Sequence, residues 1–251
     1  MSRAEPVQAV LFDWGGTLSV HADVDLLTMW RAAAQVLAPD DPEPVAAQLL
    51  AAEERWWRES IAVGDRSGTT EQLVRSVARE THLDVAGALA AYHDAWEPTV
   101  AHDPAAVPVL TALKERGLRT GLLSNTHWPR ALHERWLHDA GLLELLDVRL
   151  YTSGMTHMKP HREAFGALLE AVGVAPAAAV FVGDRLRDDV SGAQAVGMRT
   201  VHLTGRPVEG FDVVPDAELV TLDGLVELVD GWGTAPPQRP VGRSAAGRPA
   251  S

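Results

Sequence analysis

Residues 7–12, Val-Gln-Ala-Val-Leu-Phe, are apolar at every position but one, and the run stops at Asp13 and the pair Gly15-Gly16. It alternates too little for a strand with one wet face. A short, continuous apolar run closed by turn residues reads as a parallel strand buried on both faces. Similar runs recur at 118–123, 148–152, 179–182, 200–203 and 218–221, separated by helical patterns at 105–116, 129–140, 162–172, 188–196 and 222–229. This alternation predicts an α/β fold with a doubly wound, Rossmann-like parallel sheet core. Right-handed crossovers would bring the C-terminal ends of the strands to one edge, where such folds place their sites.

Residues 23–98 interrupt the alternation. Patterns of period 3.6 at 25–37, 44–61, 70–83 and 85–96 predict four amphipathic helices with no strand between them. The expected organisation is a core of residues 1–22 and 99–232 and an inserted four-helix cap, 23–98, over the catalytic edge. Trp30, Trp56, Trp57 and Trp96 fall in the insert. They are expected to fill its own core, the alternative being that one or two of them face a substrate. From Gly233 the chain is rich in Pro, Gly, Ala and Arg without apolar period, so 233–251 is expected to be a disordered tail.

Composition narrows the function. A chain of 251 residues, 46% hydrophobic and 22% charged, holds one large domain or a core with a smaller insert. No run reaches the ~18 apolar residues of a membrane span, and the start lacks a signal-peptide pattern, so a cytoplasmic protein without membrane contact is expected. The absence of cysteine excludes disulfides, thiolate nucleophiles and Cys-ligated zinc. A net charge of −12 argues against nucleic acid as a partner and is usual for a soluble monomer or homodimer.

Four groups of polar residues fall at predicted strand ends or in the adjoining loops: Asp13, then Ser124-Asn125, then Lys159-Pro160, then Gly183-Asp184 through Asp189. Each alone has a plain alternative. Asp13 could form a turn, Ser124 or Asn125 could start a helix, Lys159 could be a solvated loop lysine, and Asp188 and Asp189 could cap a helix N-terminus. Asp188 is expected to keep that surface role. Together the four groups, and the stretch Phe-Val-Gly-Asp-Arg-Leu-Arg-Asp-Asp-Val-Ser-Gly-Ala-Gln-Ala-Val-Gly-Met at 181–198, resemble the haloacid dehalogenase-like hydrolase superfamily. The resemblance covers about residues 7–230, including the position of the helical cap.

The resemblance implies that Asp13 is the nucleophile and forms an aspartyl phosphate. It implies Mg²⁺ held by Asp13, Asp184, Asp189 and the backbone carbonyl of Gly15. Lys159 would balance the charge of Asp13 and the phosphate, and Ser124 and Asn125 would bind substrate. The physics agrees: an anionic nucleophile approaches a phosphoryl group only where cations offset the repulsion, and hard carboxylate oxygens suit Mg²⁺.

One position departs from the pattern. Family phosphatases carry a second aspartate two residues after the nucleophile, as acid and base; here it is Gly15. General acid–base catalysis is worth about 10²–10⁴ in rate. The expected function is a Mg²⁺-dependent phosphatase of a small phosphorylated metabolite that is slow, or handles a leaving group needing no proton, such as an acyl phosphate, or borrows His21 or His157 as proton donor. Two other readings stand beside it: a pseudophosphatase that binds a phosphorylated ligand or protein partner, and a dehalogenase. Family dehalogenases use no metal, whereas Asp184 and Asp189 retain a metal pattern. Family members that cleave a carbon–phosphorus bond need a cap lysine, and 23–98 contains none.

Overall fold

In the computed structural model, which describes residues 5–78, 83–205 and 210–234, the first strand, β1 (Ala9–Phe12), is buried at all four positions. Its pairing explains this. Counting β2 (Ser19–Val20) and β3 (Ala101–His102), the strands continue as β4 (Arg119–Ser124), β5 (Val148–Tyr151), β6 (Ala179–Gly183), β7 (Arg199–Leu203) and β8 (Ala217–Leu219). Six of them form one sheet in the order β5-β4-β1-β6-β7-β8, every pair parallel. β1 therefore lies between β4 and β6, where the strand order reverses, and the crevice beyond its C-terminal end is the usual ligand position of such sheets.

β2 and β3 pair antiparallel, Ser19 with His102 and Val20 with Ala101, and make a short stem. Between them run α1 (Leu26–Leu37), α2 (Pro42–Ala62), α3 (Thr70–Val77) and α4 (Val85–Trp96). These four helices share a buried cluster that includes Trp30, Ala34, Leu49, Val74 and Tyr92. Trp30 stacks on Tyr92 with ring centroids 4.0 Å apart and donates its indole N–H to Glu53 Oε2 at 2.7 Å. Thr69 and Gln72 form a capping box that starts α3.

The sheet is covered on both sides. α5 (Ala106–Glu115), α6 (Arg130–Asp139) and the later α9 (Leu225–Trp232) pack on one face with Val10, Phe12, Val180 and Val182. α7 (Arg162–Val172) and α8 (Gly192–Ala195) pack on the other with Ala9, Leu11, Ala179 and Phe181. Successive β1 side chains thus enter different cores, as the period of two requires.

Three expectations change. The helix expected at 188–196 is a π-helical turn, Leu186–Ser191, leading into α8, and such turns concentrate at functional sites. The helix expected at 70–83 stops at Val77, and residues 79–82 lie outside the described ones. The tail expected from Gly233 begins with ordered pairing: Val7 N–H donates to the Gly233 carbonyl at 2.8 Å and Val7 bridges to Thr234. Residues 235–251, the rest of that tail, lie outside the described residues.

Candidate active site

Asp13 is the first residue beyond β1, and its N–H donates to the Val182 carbonyl of β6 at 2.9 Å. The strand pairing thereby fixes where its largely buried carboxylate lies. The chain then turns through Gly16 at φ +79°, and a Cβ there would come within 2.5 Å of Asp184 Oδ2. Glycine is required by both the conformation and the close approach. Gly15 differs: a Cβ added to it meets nothing within 4 Å.

Lys159 is buried and joins two of the acids. Its Nζ lies 2.5 Å from Asp13 Oδ1 and 2.7 Å from Asp189 Oδ1. Burial opposes the lysine charge, but Asp13 and Asp189 together hold it above the ordinary lysine range. Asp189 also accepts from the Arg185 N–H at 2.9 Å. It folds back so closely that a Cβ on Gly183 would lie 2.3 Å from its Cγ.

Asp184 is the group left over. It is 1% exposed, and neither carboxylate oxygen has a hydrogen-bond partner. Burial, followed by repulsion from Asp13 and Asp189, pushes its pKa up to about 8. An uncompensated buried carboxylate is costly, and oxygens of Asp13, Asp184 and Asp189 lie within 4.8 Å of one another. This set of hard ligands fits a divalent cation. Among the described residues a second group able to hold a metal is His157, His161 and Glu163.

The other sequence-derived residues divide. Ser124, last of β4, lines the cleft in front of Asp13, as does Gly15. Asn125 lines it too, but both ends of its amide are engaged. Its Nδ2 donates to the Lys159 carbonyl at 2.9 Å, and its Oδ1 accepts the Lys159 N–H at 2.8 Å. Asn125 thus holds the Lys159 loop in place at the edge of the cleft. His21 stands in the cleft, half-exposed, with Nε2 3.9 Å from Asp184 Oδ2. His157, the other expected proton donor, instead pairs with Glu163 at 2.8 Å and stacks on His161. Asp188 starts the π-helical turn but is mostly covered, pairing with Arg187 at 3.0 Å and Arg185 at 3.5 Å.

The cleft has a volume of about 450 Å³ and lies between the strand ends and the helices α1, α2 and α4. Trp57 and Trp96 line it from the helical side, and Trp14 and Trp128 from the loops after β1 and β4. Trp56 lies edge-on to Trp57 at 4.5 Å. So Trp30 fills the core of the insert, while Trp57 and Trp96 line the cleft. Behind this wall runs a network that sequence reasoning missed. Glu53 of α2 lies 2.9 Å from His127 Nε2, and His127 Nδ1 lies 2.9 Å from Thr70 Oγ1. Burial works against the Glu53 charge, yet His127 and Trp30 outweigh it and hold the carboxyl below its usual range. A signal existed: Glu53 falls on the stripe of α2 that buries Ala46, Leu49, Ala52 and Ser60. A second cavity, of about 430 Å³ and lined by Thr69, His93, Pro129 and Tyr151, shares His127 with the cleft but none of the four polar groups.

At the switch point of the doubly wound sheet, a carboxylate is salt-bridged to a buried lysine beside two further buried acids. The sequence profile of the haloacid dehalogenase-like hydrolases matches residues 7–197, and the chain belongs to that family. It is 30% identical over 188 residues to "Phosphatase MT3486" of Mycobacterium tuberculosis, covering 72% of this chain and 82% of that one. It is 29% identical over 157 residues to a glyceraldehyde 3-phosphate phosphatase of Methanopyrus kandleri, covering 58% of this chain and 64% of the relative. An Escherichia coli phosphoglycolate phosphatase is 35% identical over 107 residues, 40% of this chain and 39% of the relative. The match thus spans less than two thirds of some of these relatives. Among solved structures, a phosphatase of this family from Thermococcus onnurineus superposes with a TM-score of 0.67 at 26% identity, over 90% of this chain and 99% of that one. A 2-haloacid dehalogenase from Pseudomonas syringae reaches 0.64 at 23% identity, over 90% and 100%, and shares the fold.

Proposed function

We propose that the chain is a Mg²⁺-dependent phosphatase that acts on a small phosphorylated metabolite through an aspartyl phosphate on Asp13. The observation that carries this reading is Asp184, a buried carboxylate with two unpartnered oxygens set against Asp13 and Asp189. Phosphatase relatives at 29–35% identity support it. Mg²⁺, held by Asp184 with Asp13 and Asp189, would supply the positive charge that lets a carboxylate approach a phosphate dianion.

The residues of the chain do the rest. Lys159 orients Asp13 and offsets its charge, and Asp189 and Asn125 fix Lys159. Ser124 faces the cleft with a hydroxyl suited to a phosphate oxygen. An Asp13 oxygen attacks phosphorus, the bond to the leaving oxygen breaks, and water then cleaves the acyl phosphate. Gly15 contributes no proton to either step. The helices of 26–96 act as the cap that admits and shapes the leaving group.

The test is phosphate release from a panel of phosphate monoesters with Mg²⁺, with EDTA, and after Mg²⁺ is restored. Loss with EDTA and recovery with Mg²⁺ is expected. Tight binding of beryllium fluoride without turnover of any ester would make the protein a binder of phosphorylated ligands. Halide release from a 2-haloacid in EDTA would make it a dehalogenase.

A further inference from the structure

The cleft carries more apolar ring surface than a small polar substrate uses. Trp14, Trp57, Trp96 and Trp128 come from four separate segments, and each lines the cleft while remaining partly exposed. Trp96 and Trp128 lie 4.9 Å apart, Trp128 and Trp14 6.3 Å. Large indoles gathered around a concave site are the usual means of gripping a flat ring.

The charges around the cleft point the same way. From the helices the cleft receives Leu26, Glu53, Trp57, Ile61 and Trp96, with no lysine or arginine among them. Glu53 is already bonded to Trp30 and His127. Of the cations in the lining, Lys159 is committed to Asp13 and Asp189, and Arg187 to Asp65 and Asp188. Arg185 faces Asp188. A leaving group that carries its own carboxylate would meet an indole wall and the Glu53 charge.

Gly15 supplies an independent argument. A phenolic oxygen ionises near pH 10, as in tyrosine, whereas water and the alkyl alcohols that resemble it are far weaker acids. An aryloxide therefore departs without the acid that position 15 lacks. We infer that the cleft takes the phosphate monoester of an uncharged aromatic hydroxyl, the ring held among Trp14, Trp57, Trp96 and Trp128 and the phosphorus presented to Asp13. This inference rests on the phosphatase reading above.

The bond changes balance. An Asp13 oxygen forms a bond to phosphorus while the phosphorus–aryloxide bond breaks, and the aryloxide keeps the electron pair and takes a proton from solvent. Water then bonds to the same phosphorus, the bond to Asp13 breaks, and phosphate leaves with the water proton shared to solvent. The first step needs no acid, but the second has no base at position 15. The aryl product is therefore released in a burst of one equivalent per site before slow turnover.

Stopped-flow and steady-state kinetics of the full chain with Mg²⁺ test this with three probes: phenyl phosphate, cyclohexyl phosphate of the same size without a π face, and acetyl phosphate with a good leaving group but no ring. The expected result is a stoichiometric phenol burst, and kcat/KM at least tenfold higher for phenyl than for cyclohexyl phosphate. In Trp57→Ala the phenyl-to-acetyl selectivity should fall about tenfold, chiefly through KM, and Trp57→Phe should restore it. Equal rates on phenyl and cyclohexyl phosphate, or unchanged selectivity in Trp57→Ala with the fold intact by circular dichroism, would overturn the aromatic assignment while leaving a phosphatase. No turnover of any of the three would overturn the assignment together with the phosphatase reading.

Discussion

The sheet side of the cleft presents Asp13 and Lys159, with the buried acids Asp184 and Asp189 within a few ångströms of Asp13. The helical side presents Trp57, Ile61 and Trp96, and its one acid, Glu53, is satisfied from behind. One wall is poised, with a net excess of buried negative charge awaiting a cation. The other is settled, with its acid hydrogen-bonded and its rings left to the solvent of the cleft. On the function proposed above, the contrast separates reaction from selection: short-range charge balance serves the chemistry, and ring surface serves the choice of what is brought to it.

The largest effect that could break this division is at the nucleophile. Asp13→Asn is expected to lower phosphate release by at least about 10³-fold, measured at saturating substrate with the fold verified by circular dichroism. Lys159→Met leaves Asp13 and Asp189 buried without their cation, and should cost about 3–5 kcal/mol of stability in metal-free urea unfolding. If that loss were absent, the sheet wall would not be under the charge tension described. Gly15→Asp should raise the steady-state rate by about 10²-fold, since the added side chain has open space and restores an acid and base. That gain, with a smaller burst, would place the missing proton transfer at position 15.

On the settled wall the effect is expected to be smaller. Glu53→Gln keeps the shape but weakens the bonds to Trp30 and His127. A loss of about 1–3 kcal/mol in the same unfolding experiment is expected, clearly below that of Lys159→Met. The remaining signal is in pH, and it is gradual. Asp184 ionises near 3.8 when unfolded and about 8 when folded, so between these values the folded state holds a proton that the unfolded state has lost. Metal-free stability attributable to Asp184 should then fall as pH rises through that window and level off above about 8, by at most ~1.4 kcal/mol per pH unit. Asp184→Asn should flatten the profile, and Mg²⁺ should stabilise the wild type more at pH 8 than at pH 5.

The poised wall was legible in the sequence because its residues sit at strand ends. Asp13, Ser124 and Asp184 fall where apolar runs stop, and Lys159 stands out because Lys114 is the other lysine of the chain. What periodicity does not carry is pairing through space. Asn125 reads as a polar residue beside a serine, and its pair of hydrogen bonds with the Lys159 backbone depends on a loop 34 residues away. His157 is near Lys159 in sequence yet turns to Glu163. The Glu53–His127 contact spans 74 residues. β2 and β3 have two residues each, too short for any alternation to show.

That short stem has a consequence for how such a protein changes over time. The helical segment leaves the sheet domain at Val20 and returns at Ala101, which face each other across one ladder pair, about 5 Å apart in such ladders. A segment whose two ends meet can be exchanged by recombination without altering the register of β1 against β4 and β6. Descendants of this chain could inherit the strand-end acids and Lys159 intact while trading the helical wall of the cleft.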